Sequence, residues 1–273
     1  MKLNQNLILK YQRQADRLVA KLGLVPDIAF VAGSGIADAL LQFEVIKRID
    51  YIEFPIFPKV GVVGHRNELI LLKINNKNVL VFLGRFHLYE GNSLETICSQ
   101  VLISHFAGIE SIYLSNAAGG LNPILKPGDL VIVDDFINFS SYNLNGILLP
   151  NEDNFYRKNN PLINLEQTLN LSNSMTNHGL SHKKGTYLMV TGPYYETRGE
   201  IRLMRLLGGD VVGMSTYFEA QLASILGMKV SVISLVTNSA KEIKQAVSHQ
   251  EVTDVAKENN FKIQKLMRSI AEN

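Results

Sequence analysis

Helical and strand-like patterns of hydrophobic residues alternate along the whole chain. From Leu7 to Leu22 apolar residues recur at helical spacing, and this predicted helix ends at Gly23. Short apolar runs predict strands at 28–33, 68–74, 78–84, 111–115, 129–136, 185–190, 210–213 and 229–237. Further helices are predicted at 92–108, 162–177, 198–207, 216–226 and from about Ser248 onward. This alternation predicts one α/β domain over residues 1–273, with helices on both faces of a buried central sheet.

Two details of this prediction concern the ends of elements. Asn92, with Glu95 three residues later, predicts the cap of the helix at 92–108. Residues 138–161 are polar and rich in Asn, Ser, Gly and Pro, so they predict a long loop. Loops of this length in compact domains tend to be functional or disordered.

Composition and charge exclude several classes of function. Lys and Arg number 27 and Asp and Glu 25, giving a net charge of +2, and no basic block indicates nucleic-acid binding. No apolar run approaches the roughly 20 residues of a membrane helix. Cys98 is the single cysteine, which excludes an intramolecular disulfide and fits a reducing compartment. The first residues lack the apolar core of a signal peptide. We therefore expect a cytoplasmic globular protein.

Chemistry-bearing residues cluster where the predicted strands end, which is where ligands bind in α/β folds. The segments are "AGSGI", "GRFHLYEG", "SNAAGG", "TGPYYETRGE", "GMSTYFE" and "VTNSA". In "GRFHLYEG", Arg85, His87 and Tyr89 share one face if the chain stays extended. Arg offers a bidentate fork to phosphate and His a further donor, so we favour a binding site over a solvated strand end.

Two glycine-containing segments allow two interpretations each. "GSG" around Ser34 can present helix N-terminal amides to an anion, or it can be a plain tight turn. "SNAAGG" can form a nest of backbone N–H groups around an anion, or a turn with positive φ. Neither segment decides the question alone.

The glutamates differ in their predicted roles. Three of them each follow a Ser or Thr by three residues and are predicted capping-box residues: Glu200, Glu219 and Glu251. Glu196 has no such role and follows two tyrosines, so it is a candidate acceptor for a ligand. Ser215 can donate to an anion. Asn238 is either an Asx-turn residue or an amide that contacts a heterocycle edge.

The histidines and the cysteine are weaker candidates. His65 could reach an anion, and His249 lies at the start of the last helix, but a lone histidine is usually structural or solvated. No His, Cys and carboxylate spacing matches a metal site, so we expect no metal.

These segments, in this order, closely resemble the trimeric, low-molecular-mass purine nucleoside phosphorylases. The match runs from about residue 30 to residue 240, with a looser match around His249, and "GRFHLYEG" with "NAAGGLNP" is its most specific part. The resemblance implies an α/β/α fold with a mixed central sheet. It implies phosphorolysis of purine nucleosides to the free base and (deoxy)ribose 1-phosphate, in purine salvage, with phosphate as a co-substrate and no cofactor.

The resemblance also implies residue roles. The phosphate ligands would be Ser34, His65, Arg85, His87, the backbone at Ala117, and Ser215. The nucleoside contacts would be Tyr89, Tyr195, Glu196, Met214, Thr237, Asn238 and His249. A neighbouring subunit of a homotrimer would donate Phe155 to close the site. His87, Glu196 and Asn238 would be the catalytic residues.

Glu196 accepting from a purine N1–H favours 6-oxopurines such as inosine and guanosine, because adenine lacks that proton. Three alternatives stay open: a methylthioadenosine phosphorylase, a non-catalytic nucleoside-binding protein on the same fold, and a nucleoside hydrolase. The segment "STYFE" departs from the family in placing Tyr217 and Phe218 where a small residue and Pro are common, which leaves the pocket shape open.

Overall fold

The computed structural model describes residues 2–58, 66–144, 146–149, 161–239 and 249–273. The strands are β1 Lys2–Leu3, β2 Ile28–Val31, β3 Glu44–Asp50, β4 Glu68–Ile74, β5 Lys77–Leu83, β6 Ser111–Gly120, β7 Leu130–Asn138, β8 Leu148–Leu149, β9 Lys183–Met189, β10 Val211–Gly213 and β11 Lys229–Ser239. The helices are α1 Gln5–Leu22, α2 Ala37–Leu40, α3 Leu94–Ile97, α4 Ser99–Phe106, α5 Leu165–Asn177, α6 Arg198–Leu206, α7 Tyr217–Ile225, α8 His249–Glu258 and α9 Asn260–Ala271.

A mixed sheet organises the described residues. Its order is β10-β9-β7-β11-β6-β2-β5-β4-β3, and β10 also pairs with the end of β6. Strands β6, β11, β7, β9 and β10 therefore form a closed ring, while the β2 to β3 side stays open. The ring brings the ends of β6, β10 and β11 close together, and these ends carry most of the predicted site.

Helices cover both faces of the sheet, as the alternating pattern predicts. One apolar core packs α1, α4 and α7 against one face, with Tyr11, Val101 and Phe218 fully buried in it. The other packs α2, α5 and α9 against the opposite face, around Leu171 and Leu266. The predicted α/β class with helices on both faces is confirmed.

The helix ends differ from expectation in three places. The helix at 92–108 is capped by Ser93, whose hydroxyl accepts from Thr96 N, and it is interrupted at Cys98. Asn92 does not cap it, because its side chain donates instead to the carbonyl of His87 at 3.2 Å. The last helix is broken at Asn259 into α8 and α9, and its predicted start near Ser248 lies outside the described residues.

The segment "SNAAGG" is extended, so neither the nest nor the positive-φ turn is correct. Strand β6 continues through it to Gly120 because β11 pairs with it in parallel over nearly its whole length. Among the described helices, none is long and apolar enough to span a membrane.

Candidate active site

A cavity opens at the carboxyl ends of β6, β10 and β11 and beside the segment that follows β5. Its lining residues are Gly33, Ser34, Arg85, His87, Tyr89, Asn116, Ala117, Ala118, Gly119, Tyr195, Glu196, Val212, Gly213, Met214, Ser215, Thr237, Asn238 and Val252. Residues from seven separate segments of the chain thus meet in one place.

Eleven of the fourteen predicted site residues line this cavity. Of the other three, His65 and Phe155 lie outside the described residues. His249 begins α8, but its side chain is also outside the described part of the chain. The fold brings together what the sequence places up to about 200 residues apart, from Ser34 to Asn238.

Arg85 is held in a buried ion pair at the floor of the cavity. Its Nε donates to Glu219 Oε1 at 2.9 Å, and its Nη1 donates to the carbonyl of Ser115 at 2.7 Å. The two charged side chains are only 2% and 0% exposed. Two of the guanidinium nitrogens that could bind phosphate therefore donate to groups of the protein itself. These hydrogen bonds fix the guanidinium next to Ser215, with Nη1 of Arg85 3.4 Å from Oγ of Ser215.

Ser215 precedes a strained turn. Thr216 has φ 81° and ψ −40°, and Tyr217 N donates to the Ser215 carbonyl at 3.0 Å, which makes a γ-turn centred on Thr216. Such a conformation in a β-branched residue costs on the order of 1–3 kcal/mol. It is braced by Glu219, whose Oε2 accepts from Thr216 N at 2.7 Å, and by Asn116, whose Nδ2 donates to Thr216 Oγ1 at 3.1 Å.

His87 is oriented by Glu90. One carboxylate oxygen of Glu90 accepts from the backbone N of His87 at 2.9 Å and lies 3.1 Å from its Nδ1. Because Nδ1 faces this carboxylate, Glu90 sets the orientation of the imidazole. The imidazole stacks on Tyr89, with ring centroids 4.8 Å apart. Glu90 is thus a structural partner of His87.

The "GSG" segment approaches β6 closely. A Cβ on Gly33 would lie 2.8 Å from the Asn116 Cα, so only glycine fits there. Gly33 N donates to Ser115 Oγ at 3.0 Å, which holds the turn against the sheet. Ser34 follows it on the cavity wall.

Glu196 and Tyr195 occupy the loop before α6. Burial raises the pKa of the Glu196 carboxyl, and the nearby Glu200 raises it further. Burial likewise raises the pKa of Tyr195, and that of Tyr89 to about 12. Glu200 has the predicted capping role, because it accepts from Thr197 N at 2.7 Å. Glu196 is therefore the carboxylate that this loop presents to the cavity.

Several lining residues were missed by sequence reasoning. Asn116 lies inside the quoted "SNAAGG", yet only the backbone of its neighbour was singled out; its Oδ1 is buried without a hydrogen-bond partner in the described structure. Val212 and Val252 look like ordinary core residues in the sequence. The apolar and strand-like context of these residues carries no signal that they face a ligand.

Potential metal ligands do not cluster in this structure. Over the described ranges, no three His, Cys, Asp or Glu side chains are grouped so that they could hold a metal ion. The cavity instead presents one guanidinium, one imidazole, hydroxyls, amides and a carboxylate, a set suited to binding an oxyanion and a polar heterocycle.

Comparison with known proteins identifies the family. The family model described as "Phosphorylase superfamily" matches residues 27–272. The chain is 34% identical to purine nucleoside phosphorylase 1 of Bacillus subtilis, over 96% of this chain and 97% of that protein. It is 32% identical to the purine nucleoside phosphorylase of Rattus norvegicus, over 96% and 94% of the two chains.

Comparison with solved structures leads to the same family. The purine nucleoside phosphorylase of Schistosoma mansoni in complex with adenosine superposes with a TM-score of 0.86 at 30% identity, over 100% of this chain and 99% of that one. Isoform 2 from the same organism, in complex with cytosine and ribose-1-phosphate, gives a TM-score of 0.85 at 30% identity, over 96% and 95% of the two chains. The chain therefore belongs to the phosphorylase superfamily and, within it, to the purine nucleoside phosphorylases.

Proposed function

We propose that this protein cleaves purine nucleosides with inorganic phosphate and prefers 6-oxopurines such as inosine and guanosine. A phosphate oxygen bonds to C1′ while the C1′–N9 bond breaks, and its electron pair leaves with the purine. The products are the free base and (deoxy)ribose 1-phosphate. The observation that carries the proposal is that anion donors and base-reading groups line one cavity.

Positioning the phosphate is the first task of the site. Arg85, His87, Ser34 and Ser215 supply donors from three different segments, and the Glu219 ion pair holds the guanidinium in one orientation. Holding a nucleophile against its target removes much of the entropic barrier to reaction. Glu219 also offsets the charge of Arg85, so the net positive field on the phosphate is moderate.

Stabilising the departing purine is the second task. Negative charge develops on the base as the glycosidic bond breaks, and the Asn238 amide can donate to it. An ionised Glu196 accepts the N1–H of a 6-oxopurine, which adenine does not have. Tyr89, Tyr195 and Met214 would contact the sugar between them.

Several features of the proposal reach beyond the described residues. We propose a homotrimer in which Phe155 of a neighbouring copy closes the site, with His65 and His249 completing the phosphate and ribose contacts. We further propose a cytoplasmic enzyme of purine salvage that requires no cofactor.

One assay tests the proposed function. Inosine, guanosine, adenosine and methylthioadenosine are incubated with and without phosphate, and base release is followed. We expect phosphate-dependent cleavage that is fastest for inosine and guanosine. Faster cleavage of adenosine would overturn the base preference, fastest cleavage of methylthioadenosine would favour that phosphorylase, and cleavage without phosphate would indicate a hydrolase.

A substitution tests the role of Glu196. Glu196→Ala is expected to lose most of kcat/KM for inosine, because the base loses its acceptor. Glu200→Gln, in the first turn of α6, is the control, since Glu200 caps that helix and does not line the cavity. Near-normal activity of Glu196→Ala would contradict the proposed role of Glu196 in binding the base.

A further inference from the structure

The carbonyl of Gly84 directly precedes Arg85 in the chain, and two buried side chains bind it from behind the cavity. Gln100 Nε2, on α4, donates to this carbonyl at 2.6 Å, and the Tyr51 hydroxyl donates to it at 3.1 Å. Gln100 Nε2 also donates to the Tyr51 hydroxyl at 2.8 Å. Tyr51 begins a short 3₁₀ helix, Tyr51–Glu53, between β3 and β4. Groups from three separate segments thus form a triangle of hydrogen bonds.

The chemistry of the Gly84 carbonyl fixes the direction of each hydrogen bond in the triangle. A backbone carbonyl only accepts, so the Gln100 atom beside it is the amide nitrogen and not the amide oxygen. Burial raises the pKa of the Tyr51 phenol, although the hydrogen bond with Gln100 and the charge of Arg85 lower it, so the hydroxyl keeps its proton. The Tyr51 hydroxyl therefore accepts from Gln100 and donates to Gly84.

Gln100 uses only the donor end of its amide. The side chain is fully buried, and its Oε1 has no hydrogen-bond partner among the described residues. A polar atom buried in this way costs free energy that an apolar side chain of similar size would avoid. Gln100 therefore stabilises its position through its N–H groups, which are directed at the Gly84 carbonyl and at the hydroxyl that shares it.

The triangle acts on the segment that supplies two of the proposed phosphate donors. The Gly84 carbonyl and the Arg85 N–H lie in one peptide plane, so fixing the carbonyl fixes the direction in which the chain enters Arg85. The Tyr51 ring also packs against Phe86, with ring centroids 5.9 Å apart. Because Phe86 lies between Arg85 and His87, the segment is held on both sides of the arginine.

We propose that Tyr51 and Gln100 are positioning residues for phosphate, because they hold the Gly84 carbonyl and thereby place the donors of Arg85 and His87. Neither of the two lines the cavity, so both act through the backbone and not by touching a substrate. The inference rests on the proposed function and adds two residues to it. The groups proposed to contact the base lie on other segments of the chain, so their placement does not depend on this triangle.

The test separates the two substrates of one enzyme. Gln100→Met removes the donors and keeps a similar length, and Tyr51→Phe removes the hydroxyl and keeps the ring that packs on Phe86. The readouts are KM for phosphate at saturating inosine and KM for inosine at saturating phosphate. We expect KM for phosphate to rise about tenfold in Gln100→Met and about threefold in Tyr51→Phe, because displaced donors bind less tightly. KM for inosine should stay within about twofold.

This split distinguishes positioning from a merely structural role. A loss of folded enzyme lowers the apparent kcat but changes neither KM. The double variant Tyr51→Phe/Gln100→Met provides a second readout, because both residues act on one carbonyl. Its KM for phosphate should rise by less than the product of the two single effects. A rise equal to that product would overturn the shared action on Gly84.

Matched controls remove similar groups elsewhere in the core. Gln167→Met removes a buried amide that donates to the Ser231 hydroxyl at 3.2 Å, and Tyr11→Phe removes a hydroxyl that donates to the Glu95 carbonyl at 3.4 Å. Neither Gln167 nor Tyr11 lines the cavity, so both variants should keep the wild-type KM for phosphate.

The outcomes separate this inference from the proposed function. If Gln100→Met does not fold, Tyr51→Phe, which keeps the packing of the ring, decides the question alone. An unchanged KM for phosphate in the folded variants, or an equal rise of KM for phosphate and for inosine, overturns the role of Tyr51 and Gln100 only. A wild-type enzyme without phosphate-dependent cleavage overturns the proposed function as well.

Discussion

The Arg85 guanidinium and the Glu219 carboxylate, 134 residues apart in the chain, form an ion pair of 2.9 Å in the interior of the protein. The second oxygen of Glu219 accepts from Thr216 N at 2.7 Å. One carboxylate therefore holds both the arginine at the cavity floor and the strained turn that presents Ser215. This arrangement couples two anion donors that come from different strand ends.

Removing the charge of Glu219 should destabilise the protein strongly. In Glu219→Gln the buried guanidinium loses its counter-charge, and a single amide oxygen cannot serve both Arg85 and Thr216. We expect the free energy of unfolding to fall by about 3 kcal/mol, measured by urea denaturation.

The surface pair of Asp38 and Arg66 is the matched control. Its atoms are 2.7 Å apart, but its side chains are 49% and 42% exposed. Asp38→Asn should therefore cost less than about 1 kcal/mol, because water screens an exposed pair. If Glu219→Gln and Asp38→Asn lowered the free energy of unfolding equally, burial would not be the reason that the Glu219 pair stabilises the protein.

Ser215→Ala should weaken phosphate binding selectively. The variant removes one hydroxyl beside Arg85 and leaves the backbone turn in place, since the γ-turn bond is made by the carbonyl of Ser215. A hydrogen bond to a charged group contributes about 1.5–3 kcal/mol, so KM for phosphate should rise about tenfold or more. KM for inosine at saturating phosphate should change little.

Ser224→Ala, at the far end of α7, provides the comparison for this experiment. The Ser224 hydroxyl contacts the carbonyl of Pro161 at 3.4 Å in an exposed position. This variant should keep the wild-type KM for phosphate. If Ser215→Ala also kept the wild-type KM for phosphate, the result would contradict a role for Ser215 in phosphate binding.

Glu196 and Glu200 should affect stability in opposite directions as pH changes. Burial raises the pKa of Glu196, so folding favours its protonated form, and its ionisation destabilises the protein as pH rises through the raised pKa. The backbone N–H and hydroxyl of Thr197 lower the pKa of Glu200, so its stabilising contribution is present near neutral pH and is lost as pH falls.

Melting temperatures at several pH values check this pair. Near about pH 7, Glu196→Gln should melt above the wild type and Glu200→Gln below it. The Glu196 difference should shrink toward about pH 4, where its carboxyl is protonated in both the folded and the unfolded chain. The Glu200 difference should shrink at lower pH, because the pKa of Glu200 is lowered in the folded protein. Shifts of the same sign at neutral pH would contradict the assigned environments.

Local patterns in the sequence were sufficient for most of the fold. The apolar spacing from Leu7 to Leu22 predicts α1, and Gly23 ends that helix in a left-handed conformation. The capping boxes at Thr197 and Thr216 are present as predicted. These features depend on neighbours within about four residues, so they can be inferred without a tertiary structure.

Non-local pairing explains what the sequence could not predict. Strand β3 lies at the edge of the sheet, and most of its residues are exposed, so the sequence shows no alternation of apolar and polar residues there. It forms a strand because β4 pairs with it. "SNAAGG" was predicted as a nest or a turn, since small residues and glycines usually break strands. It stays extended because β11 provides a partner along its length.

The α/β class, the capping boxes at Thr197 and Thr216 and most of the segments that supply the cavity follow from the sequence, because motifs at strand ends are local and the ends of neighbouring strands meet at one edge of a sheet. How those residues act on one another depends on the tertiary structure. The pairing of Glu219 with Arg85 depends on helix packing and strand register across more than 100 residues, and the meeting of Tyr51 and Gln100 at one carbonyl depends on the packing of α4 against the sheet. Such contacts are set by the burial of the whole core, and no short stretch of sequence encodes them.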